Sequence, residues 1–255
     1  MNRTFRYLYL SAIYVCLYLP ILILVIYSFN ASRYSTNWQG FTLQWYSALF
    51  SNTSLMEAFR NSLLVAFSSS VVATVIGTLA ALAFYRYRFW GRQIMSSFIY
   101  VVMMSPDIVM GISLLMFFII LGVQTGAFTL LLAHITFCLP FVVVTVYARI
   151  SGFDRNIIDV AKDLGASEMQ MFRHIMLPMI IPAIIAGWLL SFTLSLDDVI
   201  VSFFTTGPSF EILPLKIYSM VRLGIKPEIN ALSTVMFFLS LLTVTVSHLV
   251  IKENR

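Results

Sequence analysis

The sequence predicts an all-α integral membrane protein with six transmembrane helices and both termini in the cytoplasm. Of its 255 residues, 60% are hydrophobic and only 11% are charged, whereas a soluble domain carries about 25% charged residues. Apolar windows of about 20 residues, the length that spans a bilayer, recur along the chain. Since no low-complexity linker separates these windows, we expect a single domain over residues 1–255.

Six apolar windows account for the predicted helices in chain order. Four of them are free of charged residues, and they cover residues 7–32, 61–85, 175–196 and 229–251. A longer stretch, residues 108–148, exceeds one span and is interrupted by the turn-like sequence LGVQTG at residues 121–126. It therefore supplies the end of the third span and the whole of the fourth. The third span is expected to begin near Ile94.

Basic residues are distributed unevenly between the two sides of the predicted bundle. Eleven of the sixteen Lys and Arg residues fall on the side of the two termini, and five fall on the other. Cytoplasmic segments carry the excess of Lys and Arg in membrane proteins, so both termini are expected in the cytoplasm. The net charge of +5 thus follows from topology and gives no indication of a nucleic-acid partner.

The third span contains a carboxylate, Asp107, within the tripeptide SPD. A serine followed by a proline and an acidic residue is a helix-start signal, so the span is expected to break and restart here. The fourteen residues from Gln93 to Asp107 correspond to roughly 21 Å of helix, a depth near the bilayer centre. Asp107 therefore either caps the restarted helix or lines a pathway, and both interpretations stay open.

Two adjacent carboxylates, Asp197 and Asp198, lie in the otherwise apolar or hydroxylic stretch WLLSFTLSLDDVIVSFF. Neighbouring helix residues are about 100° apart, so the two side chains are expected to face different ways. Asp198 belongs to a polar stripe with residues spaced by three and four, namely Ser191, Ser195, Ser202 and Thr205. Such a stripe should line water or the bundle interior. We therefore expect Asp198 to face a pathway and Asp197 to pair with a neighbouring helix or a partner subunit.

The longest cytoplasmic segment, about residues 149–178, carries the pattern of two short amphipathic helices joined at Gly165. A glycine suits the left-handed position that ends a helix, and Ser167 with Gln170 forms a capping box that starts the next one. Paired helices with exposed apolar faces either lie on the membrane or dock into a partner's groove. The residue pattern alone leaves both possibilities open.

This segment resembles the coupling motif of ABC importer permeases, E-A-A-x3-G-x9-I-x-L-P. The matching positions are Asp159, Val160, Ala161, Gly165, Ile175, Leu177 and Pro178, with Asp in place of Glu and Val in place of the first Ala. Longer strings, among them MMSPDIVMGISLL and SFTLSLDDVIVS, are similar to the polyamine branch of that family, and the similarity covers nearly the whole chain. In that family the loop docks on a separate ATPase.

The resemblance implies a type I ABC importer permease fold in the bacterial inner membrane. It also implies a machine that contains this permease, a second similar permease, two ATPase subunits and a periplasmic polyamine-binding protein. The first outer loop, residues 32–50, is expected to form a short interfacial helix from about Thr42. By resemblance, this loop and the later one at residues 205–230 face the binding protein.

No feature of the sequence indicates enzymatic chemistry or a cofactor in this chain. The phosphate-loop pattern G-x-x-x-x-G-K-[ST] is absent from the sequence, so ATP and Mg are expected on the partner ATPase. No His, Cys or carboxylate set has metal-ligand spacing. The histidines, including His134, are interpreted as isolated packing or interfacial residues, and Cys16 and Cys138 as packing residues.

Polyamines carry two or more ammonium groups on methylene chains, so a pathway for them needs spaced carboxylates and aromatic faces for cation–π contacts. The candidate pathway residues are Asp198, Asp107, Asp197, Ser195, Ser202, Tyr100 and Trp188. Two alternatives stay open. One is an ABC permease for another small solute, and the other is an ion-coupled secondary transporter or channel that uses the same carboxylates.

Overall fold

The computed structural model describes residues 3–32, 37–153, 155–223 and 227–253, and every regular element within these ranges is a helix. In chain order the α-helices are α1 Arg3–Tyr27, α2 Gln44–Ser51, α3 Thr53–Arg86, α4 Arg92–Met104, α5 Asp107–Ile120, α6 Ala127–Ser151, α7 Arg155–Asp163, α8 Glu168–Met171, α9 Leu177–Asp197, α10 Ile200–Thr205, α11 Leu213–Leu223 and α12 Pro227–Glu253. A short π-helix, Phe172–Met176, joins α8 to α9. The predicted all-α class is confirmed.

The described chain forms two compact units, residues 1–59 with 216–242 and residues 60–215 with 243–255. In the first unit, Asn30 organises the loop that follows α1. Its side-chain Nδ2 donates to the carbonyl of Asn37 at 2.8 Å, and its Oδ1 accepts from the Gln39 amide at 2.9 Å. The Trp45 indole donates to the Asn30 carbonyl at 2.7 Å. These bonds position α2, the short helix that the sequence predicts after Thr42.

In the second unit, helices α3, α6 and α9 pack around Val142. A Cβ added at Gly77 of α3 would lie 2.8 Å from the Val142 side chain, and one at Gly187 of α9 would lie 3.4 Å from it. Small residues allow helices to approach closely where lipid supplies no hydrophobic driving force between them. The surrounding core consists of Ala81, Phe84, Val143, Val146, Ile150 and Ile180, all buried.

The third predicted span is broken between α4 and α5. Ser105 and Pro106 are extended, with ψ of 134° and 135°, and the two helices are bent by 114°. The restart at Asp107 is therefore confirmed, but a single span through this point is not. A bend of this size makes α4 and α5 either a broken span or a re-entrant hairpin, so the 21 Å depth counted along a straight helix does not apply.

Within the described residues, four helices are long and apolar enough to cross a membrane, or five if the bent pair forms one span. The four are α1, α3, α6 and the continuous helical stretch Glu168–Asp197. Helix α12 is 27 residues long and contains the charge-free window of residues 229–251, and its fully described part, Pro227–Leu242, is by itself shorter than a span. The six-span count therefore stays a prediction.

The cytoplasmic segment has one free-standing helix instead of the two that the sequence suggests. Helix α7 ends before Gly165, whose φ is +80°, and Ser167 and Gln170 form the predicted capping box. Helix α8 then continues through the π-helical turn into α9, and Glu168–Asp197 is one continuous helix although it contains Pro178 and Pro182. The second amphipathic helix is thus the entrance of a long membrane helix.

Candidate transport and coupling sites

A buried polar network joins four helices of the second unit at His134. The imidazole Nδ1 lies 2.6 Å from Ser195 Oγ on α9, and Nε2 lies 2.9 Å from Ser202 Oγ on α10. Ser195 Oγ is in turn 3.0 Å from Ser69 Oγ on α3. His134 is fully buried on α6, so its polar atoms are satisfied entirely by these hydroxyls. It is not the isolated histidine that the sequence suggests.

Asp198 closes this network and caps α10. Its carboxylate accepts from the Val201 amide at 3.3 Å, the Ser202 amide at 2.8 Å and the Ser202 hydroxyl at 2.8 Å. Because the Ser202 hydroxyl donates to Asp198, it accepts from Nε2–H of His134. A neutral imidazole then presents Nδ1 as acceptor for Ser195. Every hydrogen bond in the chain from Ser195 to Asp198 is thereby satisfied.

The two adjacent aspartates face different ways, as the sequence predicts, and Asp198 lies in the bundle interior. Asp198 is 9% exposed, and the other stripe residues, Ser191, Ser195, Ser202 and Thr205, are also buried. Asp197 is exposed. Helix α9 ends at Asp197, and Asp198 has extended backbone angles, so the stripe is not one continuous helix face. The turn directs Asp198 into this chain and leaves Asp197 on its surface.

A second break lies beside α10. Helix α5 packs on α10 at Gly111, where an added Cβ would be 2.7 Å from the Phe204 ring and 3.4 Å from the Ile200 carbonyl. Asp107, the first residue of α5 and exposed, precedes Gly111 by about one helical turn. Asp107 thus begins α5 and Asp197 ends α9, and both carboxylates are exposed. The helices that follow these two breaks, α5 and α10, are in contact.

The two aromatic candidates lie in different surroundings. Trp188 makes edge-on contact with Phe67 at 6.3 Å and packs on Phe192 at 6.2 Å, and its buried indole nitrogen has no partner among the described residues. Tyr100 shares a cavity of ≈ 670 Å³ with Arg92. The described lining of that cavity contains Arg92 and none of the candidate carboxylates.

The residues of the coupling segment differ in how far their side chains are buried. Ala161 is buried and faces its own chain, while Val160 is exposed on α7. Gly165 ends α7 with its amide donating to Lys162 and the Ala166 amide donating to Ala161, as the left-handed cap requires. Ile175, Leu177 and Pro178 lie in the π-helix and the first turn of α9. Asp159 lies in α7, with its side chain outside the described part.

Helix α3 is tied to this segment by an ion pair between Arg86 and Glu168. Its partners come from the last residue of α3 and the first of α8. Among the described residues, no group of three or more His, Cys, Asp or Glu side chains could hold a metal ion. The chain therefore has two kinds of candidate site. One is the pair of helix breaks at the exposed acids Asp107 and Asp197, and the other is the turn at Gly165 that joins α7 to a membrane helix.

Comparison with known proteins identifies the family that has this architecture. The sequence model of the family described as the inner membrane component of binding-protein-dependent transport systems matches residues 73–252. The chain belongs to this family. The matched range includes both helix breaks, the coupling segment and every member of the buried network except Ser69, so these features are those of a transport permease in the inner membrane.

The chain is also similar to curated members of this permease family. It is 57% identical over 254 residues to the spermidine/putrescine transport system permease protein PotC of Escherichia coli K12, covering 100% of this chain and 96% of that protein. It is 51% identical to the protein of the same name from Haemophilus influenzae, covering 100% of both. Members of the same family therefore align with this chain from end to end.

A solved structure shares the fold. A bacterial alginate ABC transporter, solved in complex with an alginate pentasaccharide-bound periplasmic protein, superposes with a TM-score of 0.71 at 16% identity, covering 96% of this chain and 91% of that one. The predicted ABC importer permease fold is confirmed by this likeness.

His134 is the site residue that sequence reasoning missed. Its partners are distant along the chain, with Ser195 and Ser202 lying 61 and 68 residues away. A lone histidine in an apolar helix gives no local signal of such contacts. One indication was available, because a charged stripe residue in a membrane helix needs a polar partner and the chain has only three histidines.

Proposed function

We propose that this chain is the membrane-spanning permease subunit of an ATP-driven importer that moves polyamines, spermidine or putrescine, from the periplasm to the cytoplasm. The observation that carries the proposal is the 57% identity, over the whole chain, to a permease whose name states that substrate class. Family membership supports the transport role, and the exposed acids support cationic cargo.

Asp107 and Asp197 are the residues that we propose meet the substrate. Both are exposed carboxylates at helix breaks, and broken helices line substrate sites in transporters. Each carboxylate would form a charge-assisted hydrogen bond with an ammonium group. Trp188 would offer an aromatic face to a cation. We assign Asp198, Ser195 and Ser202 to holding the break in place, because their polar atoms are already engaged.

The energy source in this proposal is a separate ATPase that binds ATP and Mg and docks on the segment around Asp159 to Gly165. The proposed assembly contains this permease, a second similar permease, two ATPase subunits and a periplasmic polyamine-binding protein. The left-handed cap at Gly165 and the continuous helix from α8 into α9 support direct coupling, because only one short turn separates α7 from a membrane helix.

Uptake by the purified complex in liposomes tests the proposal. Labelled spermidine should accumulate when ATP is enclosed with the ATPase and the binding protein is outside, and putrescine should compete. Absence of ATP-driven uptake of both spermidine and putrescine would favour the permease for another small solute. Uptake that follows an ion gradient and continues with a hydrolysis-deficient ATPase would instead favour the ion-coupled transporter or channel.

A further inference from the structure

A cavity of ≈ 880 Å³ opens in the second unit where α3 ends. Its walls come from the end of α3, the loop to α4, helix α6 and the coupling segment. The charged lining residues are Arg86, Arg88, Arg92, Lys162 and Glu168. The count of basic residues predicts that this end of the bundle faces the cytoplasm.

The cavity has a net positive charge. Glu168 is the single carboxylate in the described lining, and its ion pair is with Arg86. Arg88 and Lys162 are exposed, and Arg92 donates to the Tyr147 hydroxyl at 3.4 Å. Three cations therefore remain in excess, and the field in a concave site of one charge sign favours an anion.

Part of the wall of the same cavity is apolar. It is formed by Leu79, Leu82, Ala83, Met171, Phe172 and Met176. Leu79 lies seven residues before Arg86 on α3, or roughly 10 Å along the helix toward the membrane. Leu79 is 62% exposed, so the apolar wall is open at the surface of α3.

The loop that borders the cavity carries aromatic side chains suited to the membrane interface. Trp90 is 96% exposed and Tyr87 is 57% exposed, and Trp and Tyr concentrate at the headgroup level. The cavity thus combines basic residues at the headgroup level with an adjoining apolar wall. This combination fits an amphiphile with an anionic head. A soluble acidic protein segment would leave the apolar wall uncovered.

We propose that this cavity binds the phosphate group of an anionic phospholipid, held by Arg88, Arg92 and Lys162, with an acyl chain along Leu79 and Leu82. Basic pockets between membrane helices on the cytoplasmic side are suited to such headgroups. The site is separate from the polyamine proposal and does not depend on the cargo. Since Lys162 belongs to α7 and Arg88 to the α3–α4 loop, a bound lipid connects the coupling segment to the membrane.

Lipid binding by the full-length chain in a neutral detergent tests this proposal. Native mass spectrometry and Trp fluorescence would follow titration with short-chain phosphatidylglycerol, with phosphatidylcholine and with inorganic phosphate. The double variant Arg88→Gln/Lys162→Gln should bind phosphatidylglycerol about tenfold or more weakly, because each cation near an anionic surface contributes to attraction. The matched control Arg6→Gln/Arg173→Gln removes two charges from the same predicted face outside the cavity, and its binding should be unchanged.

Comparison of the three ligands shows whether the cavity binds a lipid phosphate or a soluble phosphate. Preference for phosphatidylglycerol over inorganic phosphate supports the lipid site, and equal competition by inorganic phosphate supports an anion site filled by a soluble phosphate. Equal weakening in both double variants, or no phosphatidylglycerol binding above phosphatidylcholine, would overturn the proposal. Loss of ATPase association in the cavity variant, with lipid binding unchanged, would also overturn it by assigning the cations to the ATPase interface.

A substitution that should strengthen binding provides a test that misfolding cannot imitate. Glu168→Gln removes the carboxylate that neutralises Arg86, so it adds a free cation to the cavity without removing a lining side chain. Phosphatidylglycerol binding should strengthen severalfold, while phosphatidylcholine binding stays the same. Weaker phosphatidylglycerol binding in this variant would contradict an electrostatic headgroup site.

Discussion

At the scale of single residues, neighbouring acids do different work because the backbone changes direction between them. A carboxylate in the hydrocarbon region is costly unless it is satisfied, and Asp198 is satisfied by two amides and one hydroxyl. Asp197 ends α9 and is exposed. The buried acid therefore stabilises the break, and the exposed acid is available to a ligand.

Asp197→Asn is expected to lower polyamine uptake about tenfold or more, because a hydrogen bond to a charged group contributes about 1.5–3 kcal/mol and the variant keeps the shape without the charge. Initial uptake rates and complex yield would be measured together. Glu57→Gln is the control, since Glu57 is also exposed but lies at neither helix break. Wild-type uptake by Asp197→Asn would contradict a substrate role.

Asp198→Ala and His134→Ala should each destabilise the protein by about 1–3 kcal/mol, since each leaves buried polar atoms without partners. Thermal unfolding of the purified complex would measure the loss. Because both residues act through Ser202, the double variant should lose less than the sum of the single variants. Strict additivity would show that the network is not one unit.

At the scale of elements, glycines decide how helices meet and how they turn. Gly111 permits α5 to touch α10 at the two breaks, and Gly77 permits α3 to approach Val142. Gly165 has open space around its Cβ position but a φ of +80°. Substitution at the first two positions is opposed by neighbouring atoms, whereas substitution at Gly165 is opposed by the backbone itself.

Gly165→Ala should reduce ATPase association or transport-linked hydrolysis by roughly tenfold, since a left-handed residue with a Cβ costs about 1–2 kcal/mol. Membrane insertion should be unchanged. Gly152→Ala is the matched control, because Gly152 lies in the same cytoplasmic segment at φ −87° with its nearest Cβ neighbour at 3.7 Å. Equal behaviour of the two variants would show that the left-handed turn is not required for coupling.

Gly111→Ala should destabilise the contact between α5 and α10 by about 1–3 kcal/mol through overpacking against Phe204. Phe204→Ala removes the opposing ring, so the double variant should recover part of the loss. Unfolding midpoints and uptake of the single and double variants measure this coupling. Absence of recovery would indicate that Phe204 does not limit the approach of α5.

At the scale of the whole molecule, topology follows from the placement of charge. The split of eleven basic residues against five predicts both termini on the cytoplasmic side, and a chain with both termini on one side crosses the membrane an even number of times. Four or five described helices are long and apolar enough to span. Accessibility is therefore the measurement that completes the count.

Single cysteines introduced at Arg88 and Arg173 should react with an impermeant reagent only after permeabilisation, and those at Trp38 and Glu211 should react in intact cells. The background would carry Cys16→Ser and Cys138→Ala, since Cys16 is exposed and would itself react. Labelling at position 88 in intact cells would contradict the orientation.

The sequence alone determined those features that depend on neighbours along the chain. The SPD signal marked the helix start at Asp107, Gly165 marked the left-handed end of α7, and Ser167 with Gln170 marked the capping box, because each requires only local backbone geometry. The spacing around Asp159 to Pro178 and the longer strings led to the ABC permease family, which the comparisons confirm.

Only the tertiary structure decided which polar side chains are buried together. Asp198 has the same local pattern whether it faces water or protein, and its inward orientation depends on the turn after Asp197 and on His134, which lies on another helix. The 114° bend between α4 and α5 and the helical path from α8 into α9 likewise depend on packing. Helical periodicity specifies a direction around one axis, whereas burial requires the position of every other helix.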